Sequence, residues 1–125
     1  MNRIQILNTT IDNLSMQETL ALVQEKIHAG EQLHHVVVNA GKVVSMQKDS
    51  ELRQSVNQSD IINADGQAVV WASRFLLKPL KERVAGIDLM ANLVEMAHKN
   101  NYKIFLFGAK EDVVKTVVEK YSEIY

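Results

Sequence analysis

The chain has 125 residues, 46% hydrophobic and 23% charged, with a formal net charge of −1. This is globular composition, and nothing in the overall charge favours nucleic acid. There is no cysteine, which excludes a disulfide framework, a thiolate metal site and a thiol nucleophile and fits a reducing compartment.

The length supports one hydrophobic core, so a single domain over residues 1–125 is expected. The N-terminal MNRIQILNTTIDNLS lacks the apolar core of a signal peptide. No run approaches the ~20 apolar residues that span a bilayer. Direct secretion and a membrane span are not expected, while peripheral membrane contact stays open.

In chain order, RIQIL alternates polar and apolar residues and reads as a strand. Ser15 and Glu18 have capping-box spacing and open a helix whose apolar face carries Leu20, Val23 and Ile27, with Gly30 as its stop. HHVVVNA is a β-branched run suited to a strand buried on both faces. GKVVSMQKD and SELRQSVNQ read as two short helices, and DIINA as the next strand.

Residues 66–77 read as a very apolar helix ended by Pro79. Its Trp71 and Phe75 are one turn apart and read as core, with an exposed acceptor-binding patch as the other reading. LKERVAG is a loop. Asp88 is placed as the cap of a helix carrying Leu89, Leu93 and Met96. YKIFLFG is expected as a strand, Gly108 turns the chain, and EDVVKTVVEKYSEIY forms a last helix with Val113, Val114, Val117 and Tyr121 inward.

Strands alternating with helices define an α/β, Rossmann-like fold: a mostly parallel sheet with flanking helices. Ligands in such sheets sit at the carboxyl ends of the strands, which selects Asn39, Asp65 and Gly108. Asp65 can be a general base within reach of a hydroxyl, or it can cap the following helix. Gly66 beside it leaves room for a ligand. Asn39 can hydrogen-bond sugar hydroxyls or cap a turn. Arg83 can bind a diphosphate bidentately or lie on a solvated loop, and Lys78 and Lys81 read as surface residues. Gly108 lies in a strand–glycine–helix turn without the GxGxxG fingerprint. The histidines form no metal site: His34 and His35 are adjacent on a strand and point to opposite faces, and His28 and His98 read as surface residues.

Three motifs in order, N-A-x-K-V at Asn39–Val43, A-D-G at Ala64–Gly66 and E-R-V-x-G-x-D at Glu82–Asp88, resemble the WecG/TagA/CpsF glycosyltransferases. The similarity runs from the first strand to Tyr125. It implies inverting, metal-independent transfer of a sugar, N-acetylmannosamine in one branch, from a UDP-sugar to undecaprenyl-diphosphate-linked N-acetylglucosamine. Other branches use UDP-N-acetylmannosaminuronic acid or UDP-glucose. The resemblance implies Asp65 as general base, Arg83 as stabiliser of the leaving diphosphate and Asn39 in the substrate pocket. Gly66, Gln67 and Gly108 join Asn39 as expected substrate-binding residues. No metal and no cofactor beyond the donor is expected. The expected location is cytoplasmic, peripheral at the inner membrane surface, with no nucleic-acid partner and with homo-oligomerisation open.

The sequence departs from the family pattern in two places. Val37 stands where one branch has a threonine. A later P-x-Q-E motif and an arginine-rich segment are missing, so a chain truncated relative to its family is expected. The rival readings are a non-catalytic nucleotide- or sugar-binding module and an interaction protein associating through open sheet edges.

Overall fold

The structure, a computed structural model, describes residues 2–125. It is α/β, and its residues group into two compact units, Met1–Leu89 and Met90–Tyr125.

The first unit opens with an antiparallel hairpin of β1 (Arg3–Ile6) and β2 (Thr9–Asp12). The first strand is therefore not part of the parallel sheet that was expected of it. The connection at Leu7 and Asn8 takes a positive φ of 52° at Leu7 and carries no glycine, so the usual hairpin cue is missing from the sequence.

α1 (Met16–His28) starts at Ser15 with both capping-box bonds formed: Ser15 Oγ accepts from Glu18 N and Glu18 Oε1 from Ser15 N, each at 3.1 Å. Its Leu20 and Val23 are half-buried and Ile27 is exposed, so the fully buried residue on this helix is Thr19.

β3 (His35–Val38) and β4 (Ile61–Ala64) pair in parallel, with Val38 opposite Ala64. Between them run α2 (Ala40–Lys48) and α3 (Ser50–Asn57). Val38, Ile62 and Ala64 form the core with Val43 and Met46 of α2, Val56 of α3, and Val69 and Val70 of α4 (Gln67–Phe75). Successive N–H groups of a strand point to opposite edges. Ile61 and Asp65 therefore donate toward β3, to His34 O and Val38 O, while Ile62 donates at 2.8 Å to Asp12 Oδ2 on the other edge.

That carboxylate is buried and paired with Arg3 Nε at 2.8 Å. Arg3 Nη2 in turn donates to Ser59 O and Asp60 O, both at 3.0 Å. The hairpin is thus fastened to the start of β4 by one buried acid.

α5 (Gly86–Asn100) begins two residues before Asp88, so Asp88 lies inside its first turn and not ahead of it as a cap. The division between the units falls within this helix. In the second unit, α6 (Glu111–Ile124) has no fully buried residue; Val114, Val117 and Tyr121 are half-buried and Val113 is exposed. The expected strand YKIFLFG belongs to no ladder among the described residues, and Phe105 and Phe107 are 86% and 94% exposed. A β-branched and aromatic run has strand propensity, but a strand exists only with a hydrogen-bonded partner. Gly108 follows this unpaired stretch with φ 126° and open space around its Cα.

Candidate functional site

The carboxyl ends of β3 and β4 lie side by side because the two strands are parallel and in register, which brings Asn39 and Asp65 together. Asn39 caps α2: its Oδ1 accepts from Lys42 N at 2.9 Å. Its side-chain amide N–H groups have no partner among the described residues and face solvent. The cap reading is therefore correct for Asn39 and still leaves a donor for a ligand.

Asp65 behaves differently. The N-cap of α4 is Gly66, and no side chain caps this helix. The carboxylate is left for Arg83, whose Nη2 lies 3.6 Å from Asp65 Oδ1 and whose Nε donates to Asp65 O at 2.6 Å. The acid is mostly shielded, with its side chain 28% exposed, while that of Arg83 is 50% exposed. Half the guanidinium remains open to solvent and can meet an anionic group.

Arg83 is not on a loose loop. Val84 N donates to Ala64 O at 2.8 Å, Leu80 N to Ser73 Oγ at 3.1 Å and Lys81 N to Asn13 Oδ1 at 2.8 Å. Leu80, Val84 and Ala85 are buried. Met16 N donates to Glu82 Oε1, and Lys81 pairs with Glu18 at 2.9 Å across an exposed surface. The segment is a strap tied to α1, β4 and α4, and it fixes the place where the guanidinium emerges.

The two glycines nearby sit against site residues. A methyl group at Gly66 would come 3.4 Å from Asn39 Cβ, in van der Waals contact, so Gly66 lies directly against the neighbouring strand end. A methyl at Gly86 would come 3.5 Å from Val37 Cγ2 and 3.6 Å from Asp65 Oδ2. The first turn of α5 therefore faces the Asp65 carboxylate, an anion of the protein's own, which the helix end favours electrostatically. Gln67, exposed in the first turn of α4, is next to these residues in the chain. Gly108 belongs to the other unit.

Lys42 was not singled out from the sequence. Its Nζ donates to Val37 O at 3.1 Å, so it places a cation beside the end of β3. Its position in N-A-x-K-V, three residues after the capping asparagine, is the signal that could have found it. The histidines are engaged structurally: His34 Nδ1 lies 3.1 Å from Ser59 Oγ and His35 Nε2 lies 2.6 Å from Asn63 Oδ1. Among the described residues no three His, Asp or Glu side chains gather as a metal-binding group.

An acid left uncapped at a parallel-strand end, flanked by a strapped arginine and a capping asparagine, defines an α/β protein with a polar strand-end site suited to a hydroxylated or anionic ligand. The model of the WecG/TagA/CpsF glycosyl transferase family matches residues 4–125, and the chain belongs to that family. Among curated relatives, the N-acetylglucosaminyldiphosphoundecaprenol N-acetyl-beta-D-mannosaminyltransferase of Bacillus subtilis (strain 168) is 41% identical over 78 residues, which is 62% of this chain and 30% of the relative. The protein of the same name from Staphylococcus aureus (strain NCTC 8325 / PS 47) is 32% identical over 115 residues, 90% of this chain and 45% of the relative. The chain thus spans less than half the length of these relatives.

Proposed function

We propose that this protein takes part in the inverting, metal-independent transfer of N-acetylmannosamine from a UDP-sugar to an undecaprenyl-diphosphate-linked N-acetylglucosamine, in the synthesis of a cell-wall or surface polymer. The observation that carries this reading is the state of Asp65: it does not cap the helix that follows it and lies 3.6 Å from an arginine that is half open to solvent. In a single in-line displacement Asp65 takes the proton of the acceptor hydroxyl as that oxygen attacks the anomeric carbon. The bond to the UDP oxygen breaks with its electron pair, and Arg83 receives the charge that develops on the diphosphate. Asn39 orients sugar hydroxyls through its unused amide donors. The relatives' names supply the acceptor and the transferred sugar. The UDP carrier and the roles of the three residues are part of the proposal.

Among the described residues no helix is long and apolar enough to cross a membrane. Contact with a lipid-linked acceptor is accordingly proposed as peripheral, at the cytoplasmic face.

The test is a transfer assay with UDP-N-acetylmannosamine and a short-chain lipid-diphosphate acceptor. Product formation, lost by roughly 10²–10⁴-fold on Asp65→Asn, is the expected result. Full activity of that variant removes Asp65 from the role of base. UDP binding in a calorimeter with no turnover assigns the chain the role of a nucleotide-binding module.

A further inference from the structure

Three helices of this chain end in the same backbone motif. After α1, α4 and α5 the chain turns left-handed at Gly30 (φ 70°), Leu77 (φ 58°) and Asn101 (φ 57°). Each time, that residue and the next donate back into the last turn. After α1, Gly30 N bonds Ile27 O and Glu31 N bonds Lys26 O; after α4, Leu77 N bonds Arg74 O and Lys78 N bonds Ser73 O; after α5, Asn101 N bonds His98 O and Tyr102 N bonds Ala97 O. Glycine and asparagine are the residues this position favours, and a leucine Cβ clashes there. Leu77 gains nothing from the protein in return, since its side chain is 87% exposed.

Its surroundings give the leucine a use. α4 turns Val69, Val70 and Ser73 inward and Trp71 and Phe75 outward; Phe75 is 88% exposed, and Trp71 and Leu76 are open as well. This corrects the expectation that Trp71 and Phe75 are core. Arg74 and Lys78 are interleaved with these side chains, exposed and unpaired among the described residues. From residue 66 to 78 the basic residues are these two, and there is no acidic one. An apolar tip bearing tryptophan and ringed by unpaired cations suits the boundary of an anionic bilayer, where the rings enter the headgroup layer and the cations stay with phosphate. A purely apolar protein surface would bury the same cations without partners.

We infer that the C-terminal end of α4, with Trp71, Phe75, Leu76 and Leu77 between Arg74 and Lys78, is the surface on which this protein rests against an anionic lipid bilayer. At the helical rise, Gln67 stands roughly 12 Å from Phe75. The contact surface and the strand-end site thus lie within one short helix of each other, close enough for a lipid-linked diphosphate to serve both. The inference deepens the proposed function and rests on it for the nature of that acceptor.

Trp71 is the single tryptophan, so its emission reports the contact directly. Vesicles of phosphatidylglycerol and phosphatidylcholine are expected to shift it to the blue and shield it from iodide, and pure phosphatidylcholine to do so far less. Leu77→Gly should lower the vesicle partition coefficient roughly tenfold while raising the melting temperature, an opposition that misfolding cannot produce. Arg74→Gln and Lys78→Gln should each lower binding to the anionic vesicles roughly fivefold. An unshifted emission with anionic vesicles, or Leu77→Gly binding as wild type, overturns the inference. A blue shift in vesicle-free buffer that tracks growth in particle size also overturns it and gives the surface to a second copy. Donor and acceptor are absent throughout, so this result and the transfer assay fail independently.

Discussion

Arg83 holds the backbone of Asp65 more closely than it holds the carboxylate: Nε meets the carbonyl oxygen at 2.6 Å, and Nη2 stands 3.6 Å from Oδ1. One edge of the guanidinium is used to anchor the side chain and the other is left for an anion. Lysine cannot divide itself this way, having a single ammonium. Arg83→Lys is expected to retain the fold and to lose at least about tenfold in kcat/KM for the sugar donor, with Arg83→Gln lower still. The pair is too exposed for either change to move the melting temperature appreciably. Steady-state kinetics beside thermal melts check both parts.

The two strand-end residues should separate when each is tested for stability. Asn39 caps α2 through Lys42 N, so Asn39→Ala should destabilise by about 1 kcal/mol. Asp65 does not cap α4 and pairs with a half-exposed arginine, so Asp65→Ala should stay within about 0.5 kcal/mol of wild type. Urea titration of the two variants decides it. A loss at Asp65 equal to that at Asn39 would return Asp65 to a structural role.

Asp12 should be the costliest acid in the chain to remove. Its buried carboxylate accepts from both Arg3 and Ile62 N, so Asp12→Ala leaves Arg3 Nε and a backbone donor without their acceptor and is expected to cost about 2 kcal/mol. Asp12→Asn keeps an acceptor for Ile62 and should cost less. Chemical denaturation of the pair measures the difference.

His35 sets a pH dependence. Burial lowers its pKa below the ordinary histidine value of about 6.5, against the opposing effect of its hydrogen bond to Asn63. The folded protein therefore prefers the neutral ring, and the unfolded chain takes up the proton first. Stability from this group is complete above the unfolded value, falls as pH drops below it, and levels off once pH has passed the lowered folded value. His35→Gln should flatten the stability profile between about pH 7 and 5, as read by melts across that range.

Much of the first unit was legible in the sequence because its cues are local. The capping box placed α1, the β-branched runs placed β3 and β4, and the strand ends then selected Asn39 and Asp65. What stayed hidden depends on partners far along the chain. β2 begins after a turn without glycine, so nothing punctuates it. Residues 103–107 have strand propensity, but pairing is a property of two segments. Trp71 and Phe75 were misplaced because α4 is apolar on both sides, and periodicity cannot rank two apolar faces. The strap under Arg83 is made of bonds from Leu80, Lys81 and Val84 to residues up to 68 positions away, and none has a sequence signature.

The far edge of β4 is closed by two unlike devices, the Asp12 carboxylate on Ile62 N and the Val84 amide on Ala64 O. An open edge recruits strands from other molecules. One of the two stoppers is a single side chain lent by the N-terminal hairpin. Its loss by substitution would expose a templating row beside the apolar run Ile61 and Ile62. The colloidal lifetime of this protein is therefore expected to hinge on one residue near its N-terminus, far in sequence from the strand it protects.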